Sequence, residues 1–260
     1  MTTSALPETC AAPAPATAAR LWVRSGHAVY LGPGLGLAPH STALPSLGVG
    51  VDAPFRVRAG EAADITARSF LFRARVVHHV TGTQGRMLFC FFDPTSARLT
   101  RCLGGMTRTT GEFAYAHQDE NELVALCRHP EPDIERLLEL ASVPLPVIRD
   151  TRIAAATATI RADPARPYRA ADCARAAGLS TSYFLRTFAG QTGTSFRRYV
   201  QWARMVHIAR SHAAGHDLTR AAADAGFASP SHFSDTFRAM FGLTPTAFVR
   251  IGGELSVIER

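Results

Sequence analysis

Two segments in the last third of the chain each place a set of mostly polar side chains on one face of a predicted helix. The two sets are Thr181, Ser182, Leu185 and Arg186 in the first segment, and Ser231, His232, Asp235 and Arg238 in the second. Hydroxyl, guanidinium, imidazole and carboxylate groups can hydrogen-bond to the base edges in the major groove of DNA. These side chains therefore indicate the recognition of DNA.

Opposite these polar faces, aromatic residues recur in the same order. The segment 184–188 begins and ends with phenylalanine and is followed by Gly193, and the segment 233–237 does the same and is followed by Gly242. Because residues four apart share one face of a helix, each phenylalanine pair is expected to point into a core. A buried aromatic face with a polar opposite face is the pattern that a groove-reading helix needs.

Upstream of the first aromatic pair, the sequence predicts a helix, a turn and a second helix. The alanine-rich stretch 170–177 favours helix. Gly178 is the residue type best suited to the left-handed conformation that ends a helix. Leu179 then fills the corner, and Ser180 can cap the next helix through its hydroxyl.

The second copy repeats this order. A helix over 218–225 is expected to end at Gly226, Phe227 fills the corner, and Ser229 with Pro230 forms a cap followed by a first-turn proline. The two copies lie 48 residues apart at the first glycine and 49 at the second. An ordinary helical bundle with a chance repeat is the alternative. The recurrence of helix end, glycine, cap and aromatic pair in one order favours two helix-turn-helix units joined by a long helix over 195–212.

The positive charge of the chain is concentrated in the same region. All 28 basic residues are arginine, and the formal net charge is +7. Residues 1–148 hold 13 Arg and 13 Asp or Glu, whereas residues 149–260 hold 15 Arg and 8 Asp or Glu. A merely soluble basic domain would not require the excess to coincide with the repeat, so the distribution favours a polyanionic partner.

The cysteines and the apolar runs exclude several classes of protein. Five cysteines, an odd number without a C-x-x-C pair, argue against a disulfide framework and for a reducing, cytoplasmic compartment. No run of 18 apolar residues exists, so no membrane-spanning helix and no membrane partner are expected. Residues 1–19 lack the features of a signal peptide and are expected to form a disordered tail.

The first half of the chain predicts strands, and the second half predicts helices. Short apolar runs over 20–31, 46–58, 69–77 and 87–92 are separated by Gly and Pro, which is typical of a small barrel or sandwich. A helical stretch follows over 119–142. We expect an α+β protein with a domain over 20–146 and an all-α domain over 147–260.

The last 100 residues or so resemble the AraC/XylS family of bacterial transcription regulators. The residues that carry the resemblance are 177–180, 183–188, Gly193 with Phe196, 204–209, 225–237 and 241–245. The resemblance implies two helix-turn-helix units that bind double-stranded DNA. It also implies an N-terminal cupin-like β-barrel that binds a small-molecule effector and helps dimerisation, and an altered recruitment of RNA polymerase. No cofactor is implied.

The resemblance also assigns roles to individual residues. Ser182, Leu185 and Arg186 fall where the first recognition helix approaches bases, and Ser231, His232 and Asp235 do so in the second. Arg186 can take guanine O6 and N7 together, with a phosphate contact as the alternative. The full set of expected DNA-binding residues is Ser180, Thr181, Ser182, Leu185, Arg186, Ser229, Ser231, His232, Asp235 and Arg238. Arg197, Arg198 and Arg204 are expected to contact phosphates, with exposure on a solvated helix as the alternative for each.

Three histidines are candidates for the effector site. His40, His78 and His79 lie in the predicted barrel, where His78 and His79, as neighbours on a strand, should point to opposite faces. A cupin-like metalloenzyme is a rival interpretation, but the H-x-H motif of such sites is missing at His40, and no metal or catalytic residue is predicted. A DNA-binding protein without an effector is a second rival. The apolar stripe over 123–141 is expected to pair two helices in a homodimer, with packing on its own barrel as the alternative.

Overall fold

The computed structural model describes residues 19–24, 27–58, 64–93, 105–111, 113–141, 150–251 and 254–257. The predicted tail, apart from residue 19, and the predicted domain boundary near residue 147 lie outside these ranges. The division into domains therefore stays a prediction.

The first half of the chain consists mainly of short strands, as its punctuated apolar runs predict. In chain order the strands are β1 (Arg20–Arg24), β2 (His27–Pro33), β3 (Ser46–Gly50), β4 (Phe55–Arg58), β5 (Ile65–Ala67), β6 (Ser69–Phe72), β7 (His79–Thr81), β8 (Arg86–Phe92), β9 (Met106–Thr110), β10 (Phe113–His117) and β11 (Glu254–Val257).

These strands form two sheets. The larger sheet has the order β11-β1-β2-β8-β3-β6-β10-β9, and the smaller one has the order β5-β4-β7. The predicted barrel is wrong for the described strands, because β11 and β9 form opposite edges of the larger sheet and do not pair. A barrel requires its two edge strands to bond to one another. Strand β11 comes from the far end of the chain and runs parallel to β1.

The helices follow in two groups. The first group is α1 (Glu120–Arg128) and α2 (Ile134–Ala141), and the second is α3 (Thr151–Ala162), α4 (Ala170–Ala176), α5 (Thr181–Thr192), α6 (Phe196–Ala213), α7 (Leu218–Asp224), α8 (Pro230–Phe241) and α9 (Pro245–Arg250). The predicted helical stretch 119–142 is divided because Pro130 and Pro132 cannot continue a helix. The long predicted helix is present as α6.

Helices α1 and α2 cover one face of the larger sheet. Leu123, Leu137 and Leu138 are fully buried and belong to one cluster with Leu47 and Leu88 of the strands. The prediction that this apolar stripe pairs two copies of the chain is therefore wrong, since the sheet already buries it. The stripe packs on the strands of its own chain, which was the alternative interpretation. A homodimer through another surface stays a prediction.

The helical region is assembled around α6. Tyr199, Phe184 and Phe188 are fully buried in its core. That core also includes Ala43 and Leu44 from the loop before β3, and Phe91 of β8 packs against it. The two halves of the chain thus share one packed seam, which the sequence did not indicate.

Candidate DNA interface and the cavity beneath it

The first helix-turn-helix unit, α4 and α5, has the geometry that its sequence predicts. Gly178 adopts a φ of +65°, and the Ser180 hydroxyl oxygen accepts a hydrogen bond from the Tyr183 amide at 3.3 Å. Phe184 and Phe188 are fully buried, and the ring of Phe188 lies 5.6 Å from that of Tyr199 on α6. The aromatic pair therefore fixes α5 on α6.

The opposite face of α5 is open to a ligand as large as DNA. Thr181, Ser182, Leu185 and Arg186 are all exposed. The sequence analysis missed Tyr183, which is 43% exposed and lies beside them. The Arg186 guanidinium carbon lies 5.3 Å from the centre of the Tyr183 ring, a cation–π geometry that orients the guanidinium. The sequence signal that could have identified Tyr183 is an aromatic residue one position before a phenylalanine that is predicted to be buried.

The second unit, α7 and α8, repeats this design. Gly226 has a φ of +82°, and the Ser229 hydroxyl oxygen accepts from the His232 amide at 3.1 Å. The structure leaves the predicted base-contacting side chains of α8 exposed: Ser231, His232, Asp235 and Arg238. The hydroxyls of Ser180 and Ser229, which were predicted both as caps and as DNA contacts, act as helix caps here.

The three arginines predicted to contact phosphates differ in their surroundings. Arg197 is exposed on α6. Arg198 is half-buried, and its guanidinium donates to the Ser41 carbonyl at 3.0 Å, the Thr42 carbonyl at 3.1 Å and the Ser41 hydroxyl at 2.8 Å. Its guanidinium ties α6 to the N-terminal half of the chain, so a phosphate could take it only by breaking these bonds.

Arg204 is also engaged within the chain. Its Nε donates to the Pro164 carbonyl at 3.2 Å, and its guanidinium carbon lies 5.7 Å from the centre of the Phe227 ring. From its position on α6, Arg198 points toward the seam between the two halves of the chain. Arg204 points toward the corner of the second unit, at Phe227. Of the three arginines, only Arg197 faces solvent freely.

A second polar contact holds the seam. Asp93, at the end of β8, is buried, and the Tyr199 hydroxyl on α6 donates to its carboxylate at 3.2 Å. Arg161 of α3 donates to the Tyr199 oxygen at 3.3 Å. Burial raises the pKa of Tyr199, so its hydroxyl keeps the proton that it donates.

A cavity lies between the larger sheet and the helices α6, α8 and α9. Its volume is about 140 Å³. Its walls are mostly apolar and come from both halves of the chain, among them Tyr30, Leu37, Phe72, Phe89, Trp202, Met205, Phe233, Phe237, Phe241 and Phe248. An apolar cavity thus lies at the seam between the two halves, and the effector site stays a prediction.

Two of the three candidate histidines line this cavity. His40 and His78 are buried, their rings lie 4.6 Å apart, and their backbones exchange hydrogen bonds of 3.0 and 2.9 Å. His79 is on β7, does not line the cavity and is only half-buried. The structure therefore brings His40 and His78 together and separates His79 from them, as alternation along a strand predicts.

Both cavity histidines are held in one ring orientation. The Nδ1 of His40 lies 2.9 Å from the Ala38 carbonyl, and the Nδ1 of His78 lies 2.9 Å from the Val76 carbonyl. Since a carbonyl oxygen only accepts, each Nδ1 carries the hydrogen and each Nε2 presents a lone pair. Burial lowers the pKa of His78 to about 3 and also lowers the pKa of His40, so both rings are neutral near pH 7.

One wall of the cavity is the inner face of the second reading helix. Phe233, Phe237 and Phe241 of α8 all line it. The Phe241 ring meets the ring of Phe91 on β8 edge-on at 5.8 Å. Past the end of α8, the Ala38 amide donates to the Gly242 carbonyl at 2.9 Å. A molecule in the cavity would therefore touch the helix whose other face carries Ser231, His232 and Asp235.

Two kinds of feature are absent from the described part of the chain. Its residues include no group of three or more His, Cys, Asp or Glu placed to hold a metal ion. No helix within the described ranges is both long and apolar enough to cross a membrane.

Comparison with known proteins agrees with this geometry. Residues 173–251 match a family described as "Helix-turn-helix domain". No curated protein matches the chain by sequence.

The fold as a whole is similar to that of ToxT from Vibrio cholerae. A 1.65 Å structure of ToxT is 13% identical, with a TM-score of 0.56 over 86% of this chain and 97% of ToxT. A ToxT structure with a bound unsaturated fatty acid is 11% identical, with a TM-score of 0.56 over 88% and 96% of the two chains. A third, bound to (E)-4-(8-methylnaphthalen-1-yl)but-3-enoic acid, is 13% identical, with a TM-score of 0.54 over 86% and 97%.

Proposed function

We propose that this chain is an AraC-type DNA-binding regulator and that a small apolar effector, bound in the cavity at the seam, controls it. The observation that carries the proposal is the double role of α8. Its outer face exposes the side chains suited to base edges, and its inner face forms a wall of the cavity. An effector bound there would reach the second DNA-reading helix by direct contact.

The DNA-binding step follows from the paired units. The helices α5 and α8 enter successive major-groove segments on one face of the duplex, about one helical turn or ~10 bp apart. Arg186 takes O6 and N7 of a guanine in the first segment, and Tyr183 holds its guanidinium in place. Arg197 and other exposed arginines contact phosphates, which makes the affinity fall with salt.

The control step acts on the second unit. An effector that binds more tightly when α8 is in its DNA-competent position shifts the population toward that position. The bound ToxT structures support a small-molecule ligand for this fold, since their ligands are an unsaturated fatty acid and a naphthyl-butenoic acid. The output is an altered recruitment of RNA polymerase, with a homodimer as the DNA-bound form.

Selection of bound sites from a randomised duplex library by the full chain tests the DNA-binding step. We expect two short boxes about one turn apart, with Arg186→Ala relaxing the choice of base in one box only. If no sequence is enriched and binding merely weakens with salt, the chain binds DNA without sequence specificity.

The control step predicts an asymmetry between the two boxes. An effector identified by thermal shift should change how much a base change in the second box weakens DNA binding. The loss of affinity caused by a base change in the first box should be the same with and without the effector. An equal change at both boxes would mean that the effector acts on the whole domain and not on α8.

A further inference from the structure

Few polar side chains line the cavity. Among the described residues that line it there is no arginine, aspartate or glutamate, and the sequence has no lysine at all. Its polar groups on the side of the sheet include His40, Thr42 and His78, each at least nine-tenths buried. Tyr30, Ser46 and the half-buried His212 of α6 are the other polar residues of the lining.

The two histidines offer acceptors. Because each Nδ1 donates to a backbone carbonyl, each Nε2 lone pair is left to accept. No described residue forms a hydrogen bond with either Nε2. The ring of Phe72 stacks on His78 at 4.3 Å, which holds the imidazole plane in place beside the apolar wall.

Thr42 offers a hydroxyl without a partner. Its side chain is 3% exposed and lines the cavity, and its Oγ1 finds no hydrogen-bond partner within the described residues. A buried hydroxyl normally finds a partner, since leaving it unpaired destabilises the fold. Because this Oγ1 is itself buried, a rotation about the Thr42 Cα–Cβ bond must turn it toward the cavity, where a ligand oxygen can then pair with it.

The volume of the cavity limits the size of the ligand. A cavity of about 140 Å³ is close to the roughly 150 Å³ of an engineered apolar cavity that binds benzene. Aromatic rings form much of its wall, including those of Phe72, Phe89, Trp202 and Phe237. A single ring fits the space, whereas a long acyl chain would require the walls to move.

From these observations we infer that the effector is a small ring compound with a neutral hydroxyl group, such as a phenol. Its O–H donates to the Nε2 of His78 or His40, and its oxygen accepts from the Thr42 hydroxyl. One group with both a donor and an acceptor satisfies what the wall leaves open. This inference rests on the effector control proposed above and names its ligand class.

A carboxylate suits the same wall poorly. It has no hydrogen to donate, so its lone pairs would face the Nε2 lone pairs of the two neutral rings. Protonating a ring to receive it is opposed by burial and, at His78, by the charge that His40 would carry. The head group expected here therefore differs from the acids bound in the ToxT structures.

Titration calorimetry of the full chain at pH 7.5 with matched ring compounds tests the inference. The probes are p-cresol, 4-methylanisole with the hydroxyl methylated, toluene without an oxygen, and 4-methylbenzoate; palmitoleate is added as a long-chain acid. We expect p-cresol to bind about 10-fold more tightly than 4-methylanisole, because only p-cresol pairs with the histidine acceptor. Both acids should bind more weakly than p-cresol.

A pair of variants locates the contact. Thr42→Val keeps the shape of the side chain and removes its hydroxyl, so the affinity for p-cresol should fall about fivefold or more while the affinity for toluene stays as it was. Thr42→Ser keeps the hydroxyl and should retain the preference for p-cresol. The thermal midpoint of each variant without ligand verifies that the fold is intact. Should Thr42→Val fail to fold, the comparison of p-cresol with 4-methylanisole on the unaltered chain still decides.

The outcomes separate this inference from the function on which it rests. Tighter binding of 4-methylbenzoate or palmitoleate than of p-cresol would overturn the hydroxyl head group and leave effector control standing. Equal binding of p-cresol and toluene, or no binding of any ring compound, would also overturn it. The DNA-binding proposal has a separate test: it fails if the selection from random duplexes yields no pair of boxes.

Discussion

The two helix-turn-helix units share one sequence pattern and differ in what lies beneath them. In the first, Phe184 and Phe188 are fully buried in the helical core, and the unit rests on α3 and α6. In the second, the matching pair is Phe233, which is buried, and Phe237, which is only partly buried, and both form part of a cavity wall. The same aromatic spacing thus anchors one reading helix firmly and leaves the other in contact with an open space.

Under the function proposed above, this difference gives the two units different tasks. A helix packed on a filled core has one position, because close-packed interiors resist displacement. A helix beside a cavity can change position when the cavity is filled. The first unit is suited to constant recognition and the second to recognition that depends on an effector.

Truncating one aromatic residue in each unit should give the largest contrast. Phe188→Ala is expected to lower the free energy of unfolding by about 3–5 kcal/mol, since it opens a void in a filled core. Phe237→Ala should lower it by only about 1–2 kcal/mol, because its side chain is half-buried at an existing cavity. Urea denaturation of both variants measures this, and equal losses would remove the distinction between the two units.

Arg198 donates hydrogen bonds across the seam, so removing its guanidinium should destabilise the packing between the two halves of the chain. Arg198→Met removes three hydrogen bonds to Ser41 and Thr42 and leaves the Ser41 carbonyl without this donor, whereas the Arg75 amide still donates to the Thr42 carbonyl at 3.0 Å; the free energy of unfolding should fall by about 2 kcal/mol. Arg197→Met, at the exposed neighbouring position, is the matched control and should change stability by less than about 0.5 kcal/mol. If the two variants were equally stable, the contacts of Arg198 would not hold the seam.

Changing Arg186 should affect base recognition in the first unit alone. Arg186→Ala is expected to weaken binding to the preferred duplex by about 1–3 kcal/mol and to abolish the preference at one guanine. Binding to duplexes carrying each base at that position measures it. Asp235→Ala, on the second reading helix, should leave the preference at that guanine unchanged. A uniform weakening by Arg186→Ala on every sequence would mean that Arg186 contacts phosphate.

Lowering the pH should destabilise the protein through His78, which lines the cavity beneath the second unit. The pKa of His78 is lowered to about 3 in the folded chain, whereas the unfolded chain takes up this proton near pH 6.5. The stabilising contribution is therefore complete above pH 6.5 and is lost as the pH falls toward 3, with a slope of up to about 1.4 kcal/mol per pH unit. Thermal midpoints from pH 7.5 to 4 measure the slope, and His78→Phe should reduce it. An unchanged slope in that variant would assign the acid sensitivity to other groups.

Local signals in the sequence predicted the helical region well. The glycines at 178 and 226 and the capping serines at 180 and 229 determine where helices end and begin, because they act through bonds between near neighbours. The outward faces of α5 and α8 follow from the 3.6-residue period in the same way.

Predictions that depended on distant contacts were less successful. The strands were found, but their closure into a barrel was not, because sheet order depends on which edges meet in three dimensions. The apolar stripe of α1 and α2 had the pattern of an interface between copies, and only the fold shows that the sheet covers it. A helical period predicts that a face is buried and does not say by what.

The sequence by itself determined two helix-turn-helix units, a basic C-terminal half and the side chains that α5 and α8 expose on their outer faces, since each depends on spacing along one helix or on composition. Only the tertiary structure decided that Arg198 binds the N-terminal half, that His40 and Thr42 line one cavity with His78, and that α8 forms a wall of that cavity. These residues lie between 36 and more than 150 positions apart in the chain. The packing of sheet against helices brings them together, and no local pattern records that packing.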